Sequence, residues 1–130
     1  MSQENVEVLK AHIAAWNARD LDALRELHDP HVVVRMIEGW PEPVFVGREA
    51  VMRQFEQLRD IYGDAVVVPI SDFIDIGDRV LVRMIYRGSG QGPQADFEMT
   101  QVVTVCKGRI IYRQYFWDHA EALEAAGLSE

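Results

Sequence analysis

The sequence of 130 residues predicts an α+β fold, with helices packed on one face of a mainly antiparallel sheet. Apolar residues recur at helical spacing in the first half of the chain, and strand-like runs separated by tight turns fill the second half. The predicted order is helix, helix, strand, helix and then four strands joined mostly by hairpins. Helices segregated in this way from a meander of strands indicate the α+β class.

Three helices are predicted before the meander. The first covers residues 4–19, and the second follows its capping residue Asp20 and ends at Asp29-Pro30. The third begins at Gly47 and continues to about residue 62, where Gly63 ends it. Their apolar stripes are Val6, Leu9, Ile13 and Trp16, then Leu21, Leu24 and Leu27, and then Val51, Phe55, Leu58 and Tyr62.

Strand-like composition predicts the rest of the sheet. Pro69 places one strand at an edge or at a bulge, because proline cannot donate a hydrogen bond to the ladder. Gly77-Asp78 and Lys107-Gly108 are hairpin turns, and residues 88–93 form a glycine-rich loop. The predicted strands are residues 31–37, 44–46, 65–76, 80–87, 95–106 and 109–118.

The last predicted strand is apolar on both faces. It is therefore covered on both sides and lies centrally in the sheet. A face that combines a cation, a phenol and an indole suits the wall of a pocket. A short helix follows, with Asp118 as its cap and Glu121 three residues later. The two faces of the strand hold Ile111, Arg113, Tyr115 and Trp117, and Ile110, Tyr112, Gln114 and Phe116.

Composition limits the kinds of function that the chain can have. A hydrophobic fraction of 48% is enough to build the core of one domain, predicted to span residues 1–130. The net charge of −8 and the scattered Lys and Arg residues argue against nucleic-acid binding. The sequence contains neither a leader peptide nor an apolar run long enough to span a bilayer, so a cytoplasmic protein without membrane contact is expected.

The motifs predict no metal and no cofactor. His28, Asp29 and His31 are close in sequence but lack the spacing of zinc sites. The loop at residues 88–92 joins two strands and opens no helix, unlike a phosphate-binding loop. Cys106 is the single cysteine, allows no internal disulfide and lies in no pattern that indicates a nucleophile.

Five segments together give the chain a resemblance to a known family. They are HIAAWNARDLD (residues 12–22), GREA (47–50), DIGDRV (75–80), GRI (108–110) and EALEAAGL (121–128). In this order the chain resembles the SnoaL-like branch of the nuclear transport factor 2-like superfamily over essentially its whole length. The resemblance implies a cone-shaped roll, in which a strongly curved sheet and the N-terminal helices enclose a pocket. Fold alone does not choose among the superfamily's cyclases, isomerases, dehydratases, epoxide hydrolases and members without known chemistry.

The resemblance also implies roles for four polar residues. His12 matches the oxyanion-stabilising tyrosine of the ketosteroid isomerases, and Gln101 matches their protonated aspartic acid. Arg35 matches their general-base aspartate on the cone-facing side of its strand. Because a guanidinium stays protonated, Arg35 would bind an anionic oxygen instead of acting as base. Polyketide cyclases of this branch use an aspartate on a late strand as base, and Asp118 is the one carboxylate at the end of the last strand here.

Each of these assignments has a structural alternative. His12 can be a histidine satisfied in a helix interface, and Gln101 a buried amide that fixes a neighbour. Arg35 can pair with Glu38 or with Asp118, and Asp118 can serve only as a helix cap.

The predicted ligand is a small apolar molecule of polyketide or steroid type. Three functions remain open: a metal-free enzyme of cyclase, isomerase or dehydratase type, a binding protein with the same pocket, and a dimerisation module whose cone is filled by aromatic side chains. No helix is left to cover the outer face of the sheet, because the first three pack on the other face and the last is short. This outer face carries the apolar residues Ile85, Val102, Tyr112 and Phe116 and therefore predicts a homodimer. The residues predicted to contact the ligand are Trp16, Trp40, Phe55, Met84, Tyr86, Phe97, Arg113, Tyr115 and Trp117.

Overall fold

The computed structural model describes residues 2–63, 65–88 and 96–127, which contain four helices and seven strands. Their order confirms the predicted α+β class. Within these ranges, no helix combines the length and the hydropathy that crossing a bilayer requires. The elements are α1 (Ser2–Asn17), α2 (Leu21–Leu27), β1 (His28–Arg35), β2 (Val44–Val46), α3 (Arg48–Tyr62), β3 (Val66–Pro69), β4 (Ile74–Ile76), β5 (Arg79–Arg87), β6 (Phe97–Cys106), β7 (Arg109–Phe116) and α4 (His119–Ala125).

The strands form one sheet in the order β2-β1-β7-β6-β5-β3, and β4 also pairs with β5. β1 runs parallel to β7, whereas all the other described pairs are antiparallel. β7 therefore lies inside the sheet between β1 and β6, which agrees with its apolar composition.

Two strands differ most from their predicted bounds. The predicted strand at residues 65–76 is divided into β3 and β4, and Pro69 is the last residue of β3. β1 begins at His28, so Asp29 and Pro30 lie in a strand rather than after the end of a helix. Its pairing with β7 is irregular between His28 and Val33, which accommodates the proline. The predicted glycine-rich loop lies, apart from its first residue, outside the described residues.

β7 contains a bulge that simple alternation of side chains does not predict. Tyr112 lies opposite Thr104, but Ile110 lies opposite Val105, so Ile111 is the extra residue. Ile110 consequently joins the inner core and Ile111 is exposed, which reverses the faces predicted for these two isoleucines.

The main core lies between the inner face of the sheet and the helices α1 and α3. Val34 of β1, Val82 of β5 and Val103 of β6 are completely buried in one cluster with Leu9 of α1 and Val51 of α3. Each buried aliphatic side chain of this kind stabilises the fold by about 1.5–3 kcal/mol. This core fixes the two helices over the sheet.

Polar side chains hold the end of α1 against the edge strand β3. Asn17 donates to the carbonyl oxygen of Val67 at 2.9 Å and accepts from the N–H of the same residue at 2.8 Å. Arg19 donates to the carbonyl oxygen of Ala65 at 2.8 Å. The Arg19 guanidinium also lies 4.1 Å from the ring centre of Trp16, and thereby supports that side chain.

The last helix, α4, lies on the outer face of the sheet. Asp118 caps it by accepting a hydrogen bond from the N–H of Ala120 at 2.9 Å. Ala122 is buried in a second, smaller cluster with Leu81 and Val102. The expectation that no helix covers the outer face is therefore wrong for this part of the sheet.

Candidate functional site

A cavity, called the inner cavity below, lies between the inner face of the sheet and the helices α1 and α3. The enclosed volume of the inner cavity is about 50 Å³. The total empty volume, including the open mouth of the cavity, is about 560 Å³. The enclosed part has room for only a few water molecules, because aromatic side chains fill much of the cone. The lining residues are His12, Ile13, Trp16, Met36, Ile37, Trp40, Gln54, Phe55, Leu58, Tyr62, Val67, Met84, Tyr86, Phe97, Met99, Gln101 and Tyr115.

Most of the residues singled out in the sequence meet at this cavity. Their roles as catalytic groups or ligand contacts stay predictions, but their positions allow such roles. The predicted residues that line the cavity are His12, Trp16, Trp40, Phe55, Met84, Tyr86, Phe97, Gln101 and Tyr115.

The expectation that Arg35 faces the cavity is wrong. Arg35 is exposed, whereas Val32 and Val34 are completely buried, so the opposite face of β1 points inward. A change of one residue in register reverses every side chain of a strand. Burying the two valines is favourable, whereas burying a guanidinium without a partner is costly. Met36 lines the cavity in place of Arg35.

Asp118 and Trp117 also lie outside the inner cavity, contrary to expectation. β7 ends at Phe116, and the chain then turns into α4 on the outer face. Trp117 is 52% exposed, and its indole N–H donates to the carbonyl oxygen of Glu38 at 3.0 Å. Asp118 is exposed and caps α4, which is the structural alternative considered for it.

A chain of hydrogen bonds links side chains from the helices and the sheet. Gln101 Nε2 donates to the hydroxyl oxygen of Tyr115 at 3.0 Å and lies 3.5 Å from Nε2 of His12. Arg113 donates through Nη1 to the same tyrosine oxygen and through Nη2 to Oε1 of Gln54 at 2.7 Å. Because His12 is on α1 and Gln54 on α3, this chain ties both helices to β6 and β7.

Arg113 lies behind the cavity wall rather than in it. It is 0% exposed, and its guanidinium carbon is 4.9 Å from the ring centre of Phe55 and 5.6 Å from that of Tyr115. Burial lowers the pKa of Arg113, but a guanidinium remains charged in a protein. No carboxylate within the described ranges forms a salt bridge with it. The cavity therefore has a buried positive charge directly behind its polar wall.

His12 is held as a neutral imidazole. It is 4% exposed and packs against Phe55 and His28, with ring centres 5.9 and 5.4 Å away. Burial holds the pKa of His12 well below its usual range, and the positive charge of Arg113 lowers it further. Its Nδ1 atom has no hydrogen-bond partner among the described residues.

Two polar residues of this region were not identified from the sequence as part of the site. His28 is completely buried, its Nδ1 lies 2.6 Å from the carbonyl oxygen of Leu24, and burial lowers its pKa to about 3. It was overlooked because the strand was expected to begin three residues later. Gln54 had a usable signal, since it lies three residues after Val51 and four before Leu58 on the apolar stripe of α3.

The described side chains that line the inner cavity include no aspartate or glutamate. Residues 2–63, 65–88 and 96–127 also contain no group of three or more His, Cys, Asp or Glu side chains placed to hold a metal ion. Proton transfer in the cavity would therefore use His12 or one of the tyrosines Tyr62, Tyr86 and Tyr115, and charge would come from Arg113 behind the wall.

The comparisons with known proteins agree with this geometry. A family model described as a SnoaL-like domain matches residues 9–113. No curated protein sequence matches the chain closely enough to count as a relative.

Solved structures of similar shape include proteins with and without named ligands. Bal32a from a soil-derived mobile gene cassette is 23% identical, with 88% of each chain covered and a TM-score of 0.79. TerC co-crystallised with polyporic acid is 21% identical over 95% of this chain and 98% of its own, with a TM-score of 0.76. A hypothetical protein from Catenulispora acidiphila, with a ketosteroid isomerase-like fold and in complex with trimethylamine, is 18% identical over 94% and 93% of the two chains, with a TM-score of 0.72. These similarities confirm the predicted fold.

Proposed function

Because the chain belongs to the SnoaL-like domain family, we propose that its inner cavity binds a small, mainly apolar molecule that carries an oxygen function. The observation that carries this proposal is the composition of the wall: mainly apolar and aromatic side chains surround a few polar ones, of which His12, Gln101 and Tyr115 form a linked set. Ligand pockets typically combine a mostly apolar wall with a few fixed polar groups that orient the ligand. The TerC structure with polyporic acid supports the same class of ligand in a protein of similar fold.

Binding is better supported than fast catalysis. A general base works best when its pKa lies near the working pH, and burial holds the pKa of His12 well below its usual range. A neutral imidazole can still donate or accept a hydrogen bond at a carbonyl oxygen. Turnover at His12 is the second candidate function, favoured by its position in the wall and its unpartnered Nδ1.

A matched pair of compounds tests the proposed function. We expect 2-tetralone to bind about three to ten times more tightly than tetralin, because one hydrogen bond contributes about 0.5–1.5 kcal/mol. Quenching of tryptophan fluorescence can report both affinities, since Trp16 and Trp40 line the cavity.

Two tyrosines on the same strand provide the test variant and its control. The test variant Tyr115→Phe should abolish the preference for the ketone. Tyr112→Phe should preserve it, because the Tyr112 hydroxyl donates to Gln114 on the outer face. Equal affinities of the unaltered protein for the two compounds would contradict the proposal.

We also propose that the chain forms a homodimer through the outer face of its sheet. Ile85, Tyr112 and Phe116 are half-buried there, while α4 covers neighbouring positions. An apolar patch of this kind on a small protein favours association with a second copy.

Light scattering should give the mass of a dimer for the unaltered protein. The Tyr112→Lys, Phe116→Lys double variant should give the mass of a monomer, because two charges on the outer face would oppose the contact. A monomer mass for the parent would refute the dimer, as would a dimer mass that persists in the double variant.

A further inference from the structure

The hydroxyl group of Tyr115 has one hydrogen left to donate. Its oxygen accepts hydrogen bonds from Gln101 Nε2 at 3.0 Å and from Nη1 of Arg113. A phenolic oxygen accepts with its lone pairs and donates with its single hydrogen, so both donors can be satisfied while the hydrogen points elsewhere. Among residues 2–63, 65–88 and 96–127, this hydrogen has no acceptor. Since Tyr115 lines the inner cavity, a ligand can supply one.

The buried charge beside this hydroxyl is not balanced. Among the described residues, the polar and ring contacts of Arg113 are all neutral: the Tyr115 hydroxyl, the Gln54 side-chain oxygen at 2.7 Å, and the ring faces of Phe55 and Tyr115. A buried cation without an anion costs several kcal/mol. The described wall of the cavity contains no carboxylate that could balance it. An anion in the cavity would therefore be attracted to this end.

We infer that the cavity holds its ligand as an oxyanion, a phenolate or an enolate, whose charged oxygen accepts the hydrogen of Tyr115. This inference rests on the proposed function, because it specifies the oxygen function of the apolar ligand. Arg113 acts through Tyr115 and is a positioning residue. A phenolate or an enolate presents one charged oxygen to the hydrogen of this hydroxyl.

A phenol with a visible ionisation tests the inference. The ionised form of 4-nitrophenol absorbs at longer wavelength than the neutral form, so a spectrum reports the charge state of the bound molecule. At a pH where the free phenol is half ionised, we expect binding to raise the ratio of ionised to neutral phenol at least tenfold, which corresponds to one pKa unit. 4-Nitroanisole cannot ionise and should bind about ten times more weakly than the phenolate.

Three variants separate the charge of Arg113 from other effects. Arg113→Met keeps a long side chain and should abolish the tenfold shift, while a thermal melt checks that the protein is still folded. Tyr115→Phe keeps the cation and should also abolish the shift. Arg35→Met removes an exposed charge of the same kind and should leave the shift unchanged.

The outcomes distinguish this inference from the function on which it rests. If 2-tetralone binds more tightly than tetralin but the bound nitrophenol shows no increase in ionisation, the inference is wrong and the proposed function stands. A shift that survives in folded Arg113→Met would likewise overturn it. If neither 2-tetralone nor 4-nitrophenol binds, both proposals fail together.

Discussion

Lowering the pH from 7 to 5 should destabilise the protein by about 2 kcal/mol through the buried histidine His28, and the buried His12 should add to this loss. Burial lowers the pKa of His28 to about 3 and holds that of His12 well below its usual range. In the unfolded chain both imidazoles take up a proton near pH 6.5. Between pH 6.5 and the lower native pKa values, the unfolded state binds more protons than the native state, so stability falls as the pH falls.

The expected loss of about 2 kcal/mol or more is large beside the 5–15 kcal/mol that typically stabilises a domain. Urea unfolding at pH 7, 6 and 5 measures it. Carboxylates protonate mainly below this window, so the slope between pH 5 and 7 reports the histidines.

Substituting one buried and one exposed histidine in separate variants shows how much of the pH dependence comes from the buried imidazoles. His28→Asn should reduce the change between pH 7 and pH 5 by about 2 kcal/mol, whatever it does to the stability at pH 7, because one of the two buried imidazoles is gone. His31→Asn should leave the change as it is, since His31 is exposed. A stability that stays constant from pH 7 to pH 5 would show that neither imidazole is buried in neutral form.

The protein should not isomerise a β,γ-unsaturated ketosteroid efficiently. Ketosteroid isomerases move a proton beside a carbonyl with an aspartate. In the described part of this chain no carboxylate lines the inner cavity, and Arg35 points away from it. A positioned general base is worth about 100- to 10,000-fold in rate, so turnover should be lower by that factor than with a base in place. The ultraviolet absorbance of the conjugated product follows the reaction.

Supplying the missing base tests the reason for this result. Met36→Asp would introduce a carboxylate in the cavity wall and should raise the rate by about 100-fold or more. Arg35→Asp is the matched control, one residue away on the opposite face of the chain, and should leave the rate low. Rapid turnover by the unaltered protein would mean that another group serves as base.

The sequence predicted the fold class and one wall of the cavity well. In β6, the inward residues Phe97, Met99 and Gln101 alternate with Glu98 and Thr100, and all three line the cavity. The register of this strand is the one that the resemblance implied.

The other wall was harder to predict because β1 has valines on both faces. The segment His31–Arg35 contains three valines in succession, so alternation does not distinguish the inner face from the outer one. The burial of Val32 and Val34 decides the register, and it depends on packing against the helices. The bulge at Ile111 is likewise a property of strand pairing and has no signature in the local sequence.

Arg113 shows a different limit of sequence reasoning. Its inward direction was predicted from the composition of its face of β7 and from the family resemblance. Its lack of a carboxylate partner in the described part of the chain depends on the residues that surround it in space. The sequence alone does not reveal such a buried, unbalanced charge. It depends on how α3 packs against the sheet, where Gln54 accepts a hydrogen bond from the guanidinium.

Both edges of the sheet are poorly suited to pairing with a strand of another molecule, which should protect the protein from aggregation. On one side, the side chain of Asn17 occupies both the N–H and the carbonyl oxygen of Val67 in β3, much as a neighbouring strand would. Pro69 in the same strand has no N–H to offer. On the other side, β2 is three residues long and follows Pro43, so it offers few backbone hydrogen bonds to a strand of another molecule. The residues that fasten α1 over the cavity thus also close an edge against growth of the sheet into larger assemblies.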